Sequence, residues 1–457
     1  MPSRLPRATR QPPGPSGVPL FGSSRRYARD PFRFLASLER AYGSVSRFDM
    51  GPMAVYVVTD PAAIERVLVD EAADFRKPDF QAGPIGDLLG DGLLLSEGDT
   101  WRRQRQLANP AFGMARLSER ADRITGHAES LVDAWEPGDV VDVEVEMTHV
   151  TIDVITDLMM GVSLDDHTLS NLREQLEPLG MRFRPDPVRF ALPEWVPLPG
   201  DAEFEAAVRD LERVVEDVVD RRRGDVGSDD DPDAPMDLLS ILLRAQARGE
   251  QTPKQLRDEL VTMLLAGHDT TALTLTYTWY LLSEHPDVER RLHDEIDEVV
   301  AGDRPGMAHV RELDYAERVI QEAMRLYPPV YTLLRTPTRR FEVDGYTVPP
   351  GSTVMLPQWA VHRSERHWDD PETFDPDRWT PERSRDRHRF AYFPFGGGPR
   401  HCIGKHLAML EAQLILATVA SRYRLDYLGR SPPELLPTLT AHPKNGMRMR
   451  VEARDGG

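Results

Sequence analysis

Cys402 is the single cysteine in 457 residues, so it has no internal disulfide partner and its surroundings decide what its sulfur does. It lies in Phe395-Gly-Gly-Gly-Pro-Arg-His-Cys402-Ile-Gly-Lys405. The spacing of Leu407, Leu410, Leu414 and Ala417 predicts a helix from Gly404 to about Ser421. A helix N-terminus carries unpaired N–H groups and partial positive charge, which favour a thiolate over a thiol. The glycine run lets the backbone turn tightly and approach a flat, bulky ligand, and Arg400 adds a fixed positive charge. That setting suits a soft anionic ligand for iron. On chemistry alone, a structural turn around a small buried thiol suits it equally well.

A second stretch breaks its own pattern. Thr252-Pro253 opens the longest expected helix, which runs to about Glu284, and its middle reads Ala266-Gly-His-Asp-Thr-Thr271. The segment 261–282 is apolar enough to raise a membrane span. Yet an aspartate at a bilayer centre is unfavourable by ~2.5–3.5 kcal/mol, so a helix buried in a large core fits better. Burying Asp269 and two threonines needs a reason, and Gly267 weakens the helix by ~1 kcal/mol relative to alanine. The pattern reads as a groove carrying an acid–alcohol pair or as a satisfied polar network. Glu322 and Arg325 stand at i and i+3 of a helix expected over 313–327, where bland surface pairs contribute only a few tenths (~0.2–0.5) of a kcal/mol.

These pieces meet in one resemblance. Phe395, Gly398, Arg400, Cys402 and Gly404 spell F-x-x-G-x-R-x-C-x-G, which resembles the haem-binding loop of the cytochrome P450 monooxygenases. The resemblance implies that Cys402 is the thiolate ligand of haem b and that Phe395 packs near it. A-G-x-[D/E]-T-T resembles the oxygen-activating helix of the same family: Asp269 and Thr270 would relay protons to bound O2, beside Ala266, with Gly267 leaving room for it. E-x-x-R resembles the family's structural pair, closed by Arg378 from Phe374-Asp-Pro-Asp-Arg-Trp379. Trp101 and Arg105 match W-x-x-x-R, whose members bond the haem propionates, and Arg335 and Arg400 would be further partners.

The implied fold is mainly α with small β-sheets, a single large triangular domain over 1–457. The implied reaction inserts one oxygen atom from O2 into a lipophilic small molecule. Its electrons would come from a ferredoxin or flavodoxin-type donor and its NAD(P)H reductase, because the chain is too short to carry a reductase of its own. A basic cluster of Arg102, Arg103, Arg400, His401, Lys405 and His406 would receive an acidic ferredoxin. A peroxide-driven peroxygenase and a non-catalytic haem sensor are the alternatives. The Asp269–Thr270 pair speaks against the former and the lack of an output module against the latter. Apolar candidates for the substrate pocket are Ile85, Leu88 and Leu89, the 181–195 segment, Leu265 and Ala266, and Val330 and Thr332. The stretch 261–286 is similar to fatty-acid-hydroxylating members, with terpenoid and steroid substrates also open.

Composition bounds the rest. Lys plus Arg is 56 against 75 Asp plus Glu, a formal charge of −19, which argues against nucleic-acid binding. Such acidity suits either a high-salt cytosol or an ordinary acidic bacterial protein. Residues 1–20 form a proline-rich strap without an apolar core, so a cytoplasmic protein without signal peptide or membrane anchor is expected, as a monomer. The acidic run 224–237 is read as a solvated loop.

Among the positioning elements, helices are expected over 27–42, 62–70, 117–135, 143–161, 202–223 and 287–300, with another opening at Trp101. Strands are expected over 45–48 and 54–59. Asp344-Gly345 and Asn445-Gly446 are hairpin signals. The segment 76–96, rich in Gly and Pro, is read as a lid or ligand loop, and 169–199 as a stretch broken by prolines.

Overall fold

The structure is a computed structural model and describes residues 10–79, 83–192, 196–225, 227 and 234–454. Its helices include α1 (Pro31–Tyr42), α2 (Pro84–Leu89), α3 (Gly98–Ala108), α4 (Ala121–Asp133), α5 (Val143–Ile155), α6 (Asp166–Met181), α7 (Asp201–Arg222) and α8 (Leu238–Ala247). They continue with α9 (Pro253–Glu284), α10 (Pro286–Val300), α11 (Asp314–Leu326) and α12 (Lys405–Ala420). The strands are β1 (Val45–Met50), β2 (Met53–Val58), β3 (Phe75–Arg76), β4 (Val140–Asp142), β5 (Leu333–Pro337) and β6 (Phe341–Val343). After them come β7 (Tyr346–Val348), β8 (Thr353–Leu356), β9 (Tyr423–Tyr427), β10 (Leu435–Pro437), β11 (Ala441–Pro443) and β12 (Arg448–Ala453). The expected class, mainly helical with small sheets, is what forms.

α9 is the axis of the helical part. Thr252 and Gln255 cap it reciprocally, the Thr252 hydroxyl accepting the Gln255 N–H at 3.2 Å and the Gln255 side chain accepting the Thr252 N–H at 2.9 Å. Pro253 needs no N–H partner at the first position, and Pro286 follows the helix end. From Thr271 to Leu282 it is buried on every face, as expected for a helix at the centre of a core. α5 lies along it, and α12 packs along α4.

The sheets supply the second layer. Five strands pair in the order β1-β2-β8-β5-β3, with β2 and β8 parallel, over an apolar cluster that includes Tyr56, Ile64, Phe341 and Leu356. Arg335 on β5 is set opposite Val354 on β8. Near the C-terminus β4-β12-β9 form one sheet, and β10 and β11 a hairpin in which Leu436 faces His442.

Several sequence expectations change. The 76–96 segment is not all loop, because Pro84 starts α2, which buries Leu88 and Leu89. α6 passes through Pro178 in the stretch expected to be broken; the proline lies in the last turn, and α7 packs along the helix. The expected 117–135 helix begins later, at Ala121, after a separate turn of helix Met114–Glu119. Asp344-Gly345 does close the β6–β7 hairpin, with φ of 49° and 74°. Asn445-Gly446 instead joins β11 to β12, strands that pair with different neighbours. Trp195, part of the 181–195 segment, and half of the acidic 224–237 run lie outside the described residues.

Among the described residues no helix is long and apolar enough to cross a membrane.

Candidate active site

The Cys402 loop is built by backbone geometry. The Cys402 N–H donates to the Phe395 carbonyl at 2.9 Å, closing the loop between them. Gly398 has φ +65°, and a Cβ there would sit 1.9 Å from the Leu68 carbonyl oxygen, so only glycine fits. α12 starts at Lys405, and the N–H groups of Gly404 and Lys405 reach the sulfur. Cys402 is exposed by surface area, yet protein surrounds it closely enough that burial pushes its thiol above the ordinary range. Those N–H groups and the charges of Arg105 and Lys405 pull the other way. The sulfur thus keeps open surface within a close protein surround.

Around Arg400 of the same loop the cations outnumber their partners. Arg400 donates to the Ser96 carbonyl at 2.7 Å, pairs with Glu97 and lies 4.3 Å over the Trp101 ring. Arg335 donates to the Leu334 carbonyl at 2.8 Å; burial, with the Arg400 charge, lowers it to about 10. Lys77, which sequence reasoning passed over, is held at about 7, first by burial and then by Arg400 and Arg335. Glu97 supplies the nearby negative charge, because burial raises Glu259 to about 7. A group bearing two carboxylates would relieve this crowding. The residues present therefore fit haem b, with Cys402 as ligand and Lys77, Arg335 and Arg400 as candidates for its carboxylates. Arg105 donates to the His401 carbonyl at 3.0 Å and so ties α3 to the Cys402 loop.

A second network is buried at the end of α11. Glu322 receives Arg325 Nε and Nη2, both at 2.8 Å, and neither side chain is exposed. Arg378 Nε stands 3.2 Å from Glu322 Oε1, and the Trp379 indole donates to the same carboxylate at 3.0 Å. Arg325 Nη1 reaches the His362 and Pro371 carbonyls at 2.8 and 2.6 Å. The sequence pair is thus a fully buried, multiply bonded network.

On α9, Ala266 is exposed in mid-helix, unlike the buried run that follows it, so this part of the helix borders open space. Thr270 donates to the Ala266 carbonyl at 3.1 Å, and its own carbonyl accepts from Thr274 at 2.8 Å. Asp269 does not bond Thr270. Its Oδ2 accepts the Thr440 hydroxyl at 2.7 Å and its Oδ1 stands 3.3 Å from His442 Nε2, while His442 Nδ1 lies 2.7 Å from Glu144 Oε1. Despite burial, which opposes ionisation of both, Asp269 falls to about 2 and His442 rises to about 10, each held by the other's charge. Of the two sequence readings of this stretch, the bonds around Asp269 are those of a satisfied polar network, with Thr270 bonded separately to its own helix. Glu144, Thr440 and His442 left no motif in the sequence, since packing of α5 and of the β10–β11 hairpin brings them to α9.

Two expectations are corrected. The space left by Gly267 is filled by Ile155 of α5, whose Cδ1 would lie 2.7 Å from a Cβ there, so this glycine serves helix packing and does not leave room for O2. Leu88 and Leu89 are packed into the core at 5% and 4% exposure and do not line a pocket, because α2 turns them inward. Ile85, Leu265, Val330 and Thr332 remain partly open.

Comparison with known proteins agrees with this arrangement. The family model described as Cytochrome P450 matches residues 12–448. The chain is 36% identical to cyclooctatin synthase of Streptomyces melanosporofaciens, over 96% of this chain and 95% of that one. It is 34% identical to cyclooctat-9-en-7-ol 5-monooxygenase of the same organism, over 90% and 88%. Pentalenene oxygenase of Streptomyces avermitilis is 30% identical over 97% of both chains.

Proposed function

This chain belongs to the cytochrome P450 family, and on that footing we propose that it oxygenates a cyclic terpenoid. Membership makes it a haem-thiolate monooxygenase: haem b supplies the oxygen-activating chemistry, O2 is co-substrate, and electrons come from a redox partner. In this reading Cys402 is the thiolate ligand. Lys77, Arg335 and Arg400 hold the haem carboxylates, Asp269 and Thr270 manage protons, and Glu322, Arg325 and Arg378 keep the thiolate loop in place.

The substrate class is carried by one observation, the near full-length similarity to proteins named for cyclooctatin, cyclooctat-9-en-7-ol and pentalenene chemistry. Ile85, Leu265 and Val330 offer such a molecule partly exposed apolar contacts. Titrating purified protein with pentalenene and cyclooctat-9-en-7-ol tests it through the spectral shift that displacement of a water ligand produces. A shift with either, and none with a saturated fatty acid of similar size, supports the reading; the opposite order overturns it.

The electron donor is an acidic ferredoxin that docks over Lys405, Arg103 and His406, which are exposed in a chain of charge −19. Arg102, also exposed, is paired with Asp99. Lys405→Glu with Arg103→Glu slows reduction at least fivefold without changing the haem spectrum; unchanged kinetics contradict the docking face. The enzyme works as a cytoplasmic monomer forming one domain. Turnover faster with peroxide than with ferredoxin would instead favour a peroxygenase.

A further inference from the structure

Asp269 is tied away from Thr270, to a hairpin far along the chain, by bonds that hold it ionised. A carboxylate in that state has no proton to give. Of the two side chains that contact it, the Thr440 hydroxyl and the imidazole wedged between Asp269 and Glu144, only the imidazole can carry an acidic proton near neutral pH.

We propose that Glu144 and His442 form a proton-supply line that ends on Asp269, with His442 as a positioning residue that both fixes and recharges the carboxylate. The inference rests on the reading of Asp269 and Thr270 as the acid–alcohol pair of the oxygenase.

The geometry is that of a line with two ends. Glu144 sits in the first turn of α5, beside the N-cap Asp142, with 19% of its side chain exposed. Its Oε1 is 2.7 Å from His442 Nδ1, and on the far side Nε2 faces Asp269 Oδ1 at 3.3 Å. Imidazole suits the middle place because it bonds through one nitrogen while gaining or losing a proton at the other. Thr440 holds the junction: its oxygen is 3.0 Å from Nε2, and its hydroxyl donates to Asp269 Oδ2 at 2.7 Å. The β10–β11 register that puts His442 opposite Leu436 keeps this hairpin beside α9, as does the Tyr277 hydroxyl, which donates to the Ala441 carbonyl at 2.6 Å.

The proton count closes. His442 Nε2–H breaks as an O–H bond forms on Asp269 Oδ1, leaving neutral imidazole with its remaining hydrogen on Nδ1, toward Glu144. Asp269 passes the proton on; the neutral ring then turns so that its bare nitrogen faces Glu144, takes one solvent proton there by way of that carboxylate, and turns back as the imidazolium. The charged or titratable groups that act on this pair include Glu144 and Asp142 from the α5 end and Asp269, His268 and Tyr277 from α9, while Lys444 on the hairpin is paired with Glu434. Burial keeps His268 neutral, with its Nδ1 2.7 Å from the Leu264 carbonyl, so it adds no competing charge. Two carboxylates and one imidazolium remain, and they favour retention of the proton on His442.

The test uses the haem-loaded, full-length protein. Nitrogen NMR of ¹⁵N-histidine-labelled enzyme in its diamagnetic ferrous-carbonyl form reads the protonation of His442, assigned with the His442→Gln variant. An imidazolium at neutral pH, with a pKa that falls by a unit or more in Glu144→Gln, is expected; a neutral His442 at pH 7 overturns the proposal. The second measurement is NADPH oxidation with a bacterial ferredoxin and its reductase, without added substrate, in H₂O and D₂O. His442→Gln should slow oxidation about tenfold, raise the solvent isotope effect and remove the wild-type alkaline limb, with the ferrous-carbonyl spectrum unchanged. His442→Gln with the wild-type rate and pH profile means that the histidine is a structural clamp only, and overturns the line. The NMR titration does not depend on any substrate, so failure of the terpenoid reading and failure of the proton line register in different experiments.

Discussion

Glu322 holds two nitrogens of Arg325 at 2.8 Å inside the protein, with neither side chain exposed. Removing one partner of such a pair leaves a buried charge uncompensated, at a cost of about 3–5 kcal/mol. Glu322→Gln should therefore lower the denaturation midpoint strongly and reduce haem content on purification, since Arg325, Arg378 and Trp379 all converge on that carboxylate. Wild-type stability with full haem content would contradict the bracing role.

The Lys77 cluster predicts effects of opposite sign with and without haem. Lys77 has a folded pKa of about 7, below its ordinary 10.5, so its burial destabilises the haem-free protein progressively as pH falls from about 10.5 to 7 and fully below that. Lys77→Met should stabilise the haem-free form at pH 6–7. In the loaded protein it should speed haem loss about tenfold or more, as removal of a hydrogen bond to a charged group worth about 1.5–3 kcal/mol implies. Thermal melts and transfer of haem to an acceptor protein measure the two.

Gly267→Ala sets helix propensity, which favours alanine by up to about 1 kcal/mol, against overpacking that costs about 1–3 kcal/mol. Because the new Cβ would meet Ile155 at 2.7 and 2.9 Å, the variant should be less stable, and adding Ile155→Ala should recover part of the loss. Equal effects of Gly267→Ala in both backgrounds would show that Ile155 is not the obstacle.

His442 gives stability a definite pH dependence. Its folded pKa of about 10 lies above the ordinary 6.5, so its contribution is complete below pH 6.5 and is lost as pH rises toward 10. Asp269, held at about 2, contributes above about pH 4 and loses that contribution as pH falls through 2. Urea denaturation of wild type and His442→Gln should therefore differ most at pH 5–6 and converge by pH 10.

What could be read from the chain follows from how local each signal is. The Cys402 loop, the Glu322–Arg325 pair and the polar centre of α9 are encoded in a few neighbouring residues; the loop turn and the ion pair form locally, while the partners of Asp269 come from elsewhere in the chain. Arg378, 53 residues beyond Arg325, was found because its own motif is local. Lys77 and His442 carry no local pattern: the first reaches the cationic cluster through tertiary packing and the second through the β10–β11 register. Leu88 and Leu89 misled because a Gly/Pro-rich segment still folded into α2, and Gly267 because the partner filling its space, Ile155, is 112 residues away. Pro178 was overvalued as a breaker, since the packing of α6 on α7 outweighs one missing hydrogen bond in a last turn.

The claim on which the rest depends is that Cys402 ligates the haem iron as a thiolate. The ferrous-carbonyl absorption spectrum of wild type and Cys402→Ser, each reconstituted with haem, tests it most directly. Wild type should show the red-shifted Soret band of a thiolate-ligated carbonyl complex, and Cys402→Ser should lack it; the same thiolate band surviving in Cys402→Ser would contradict the account.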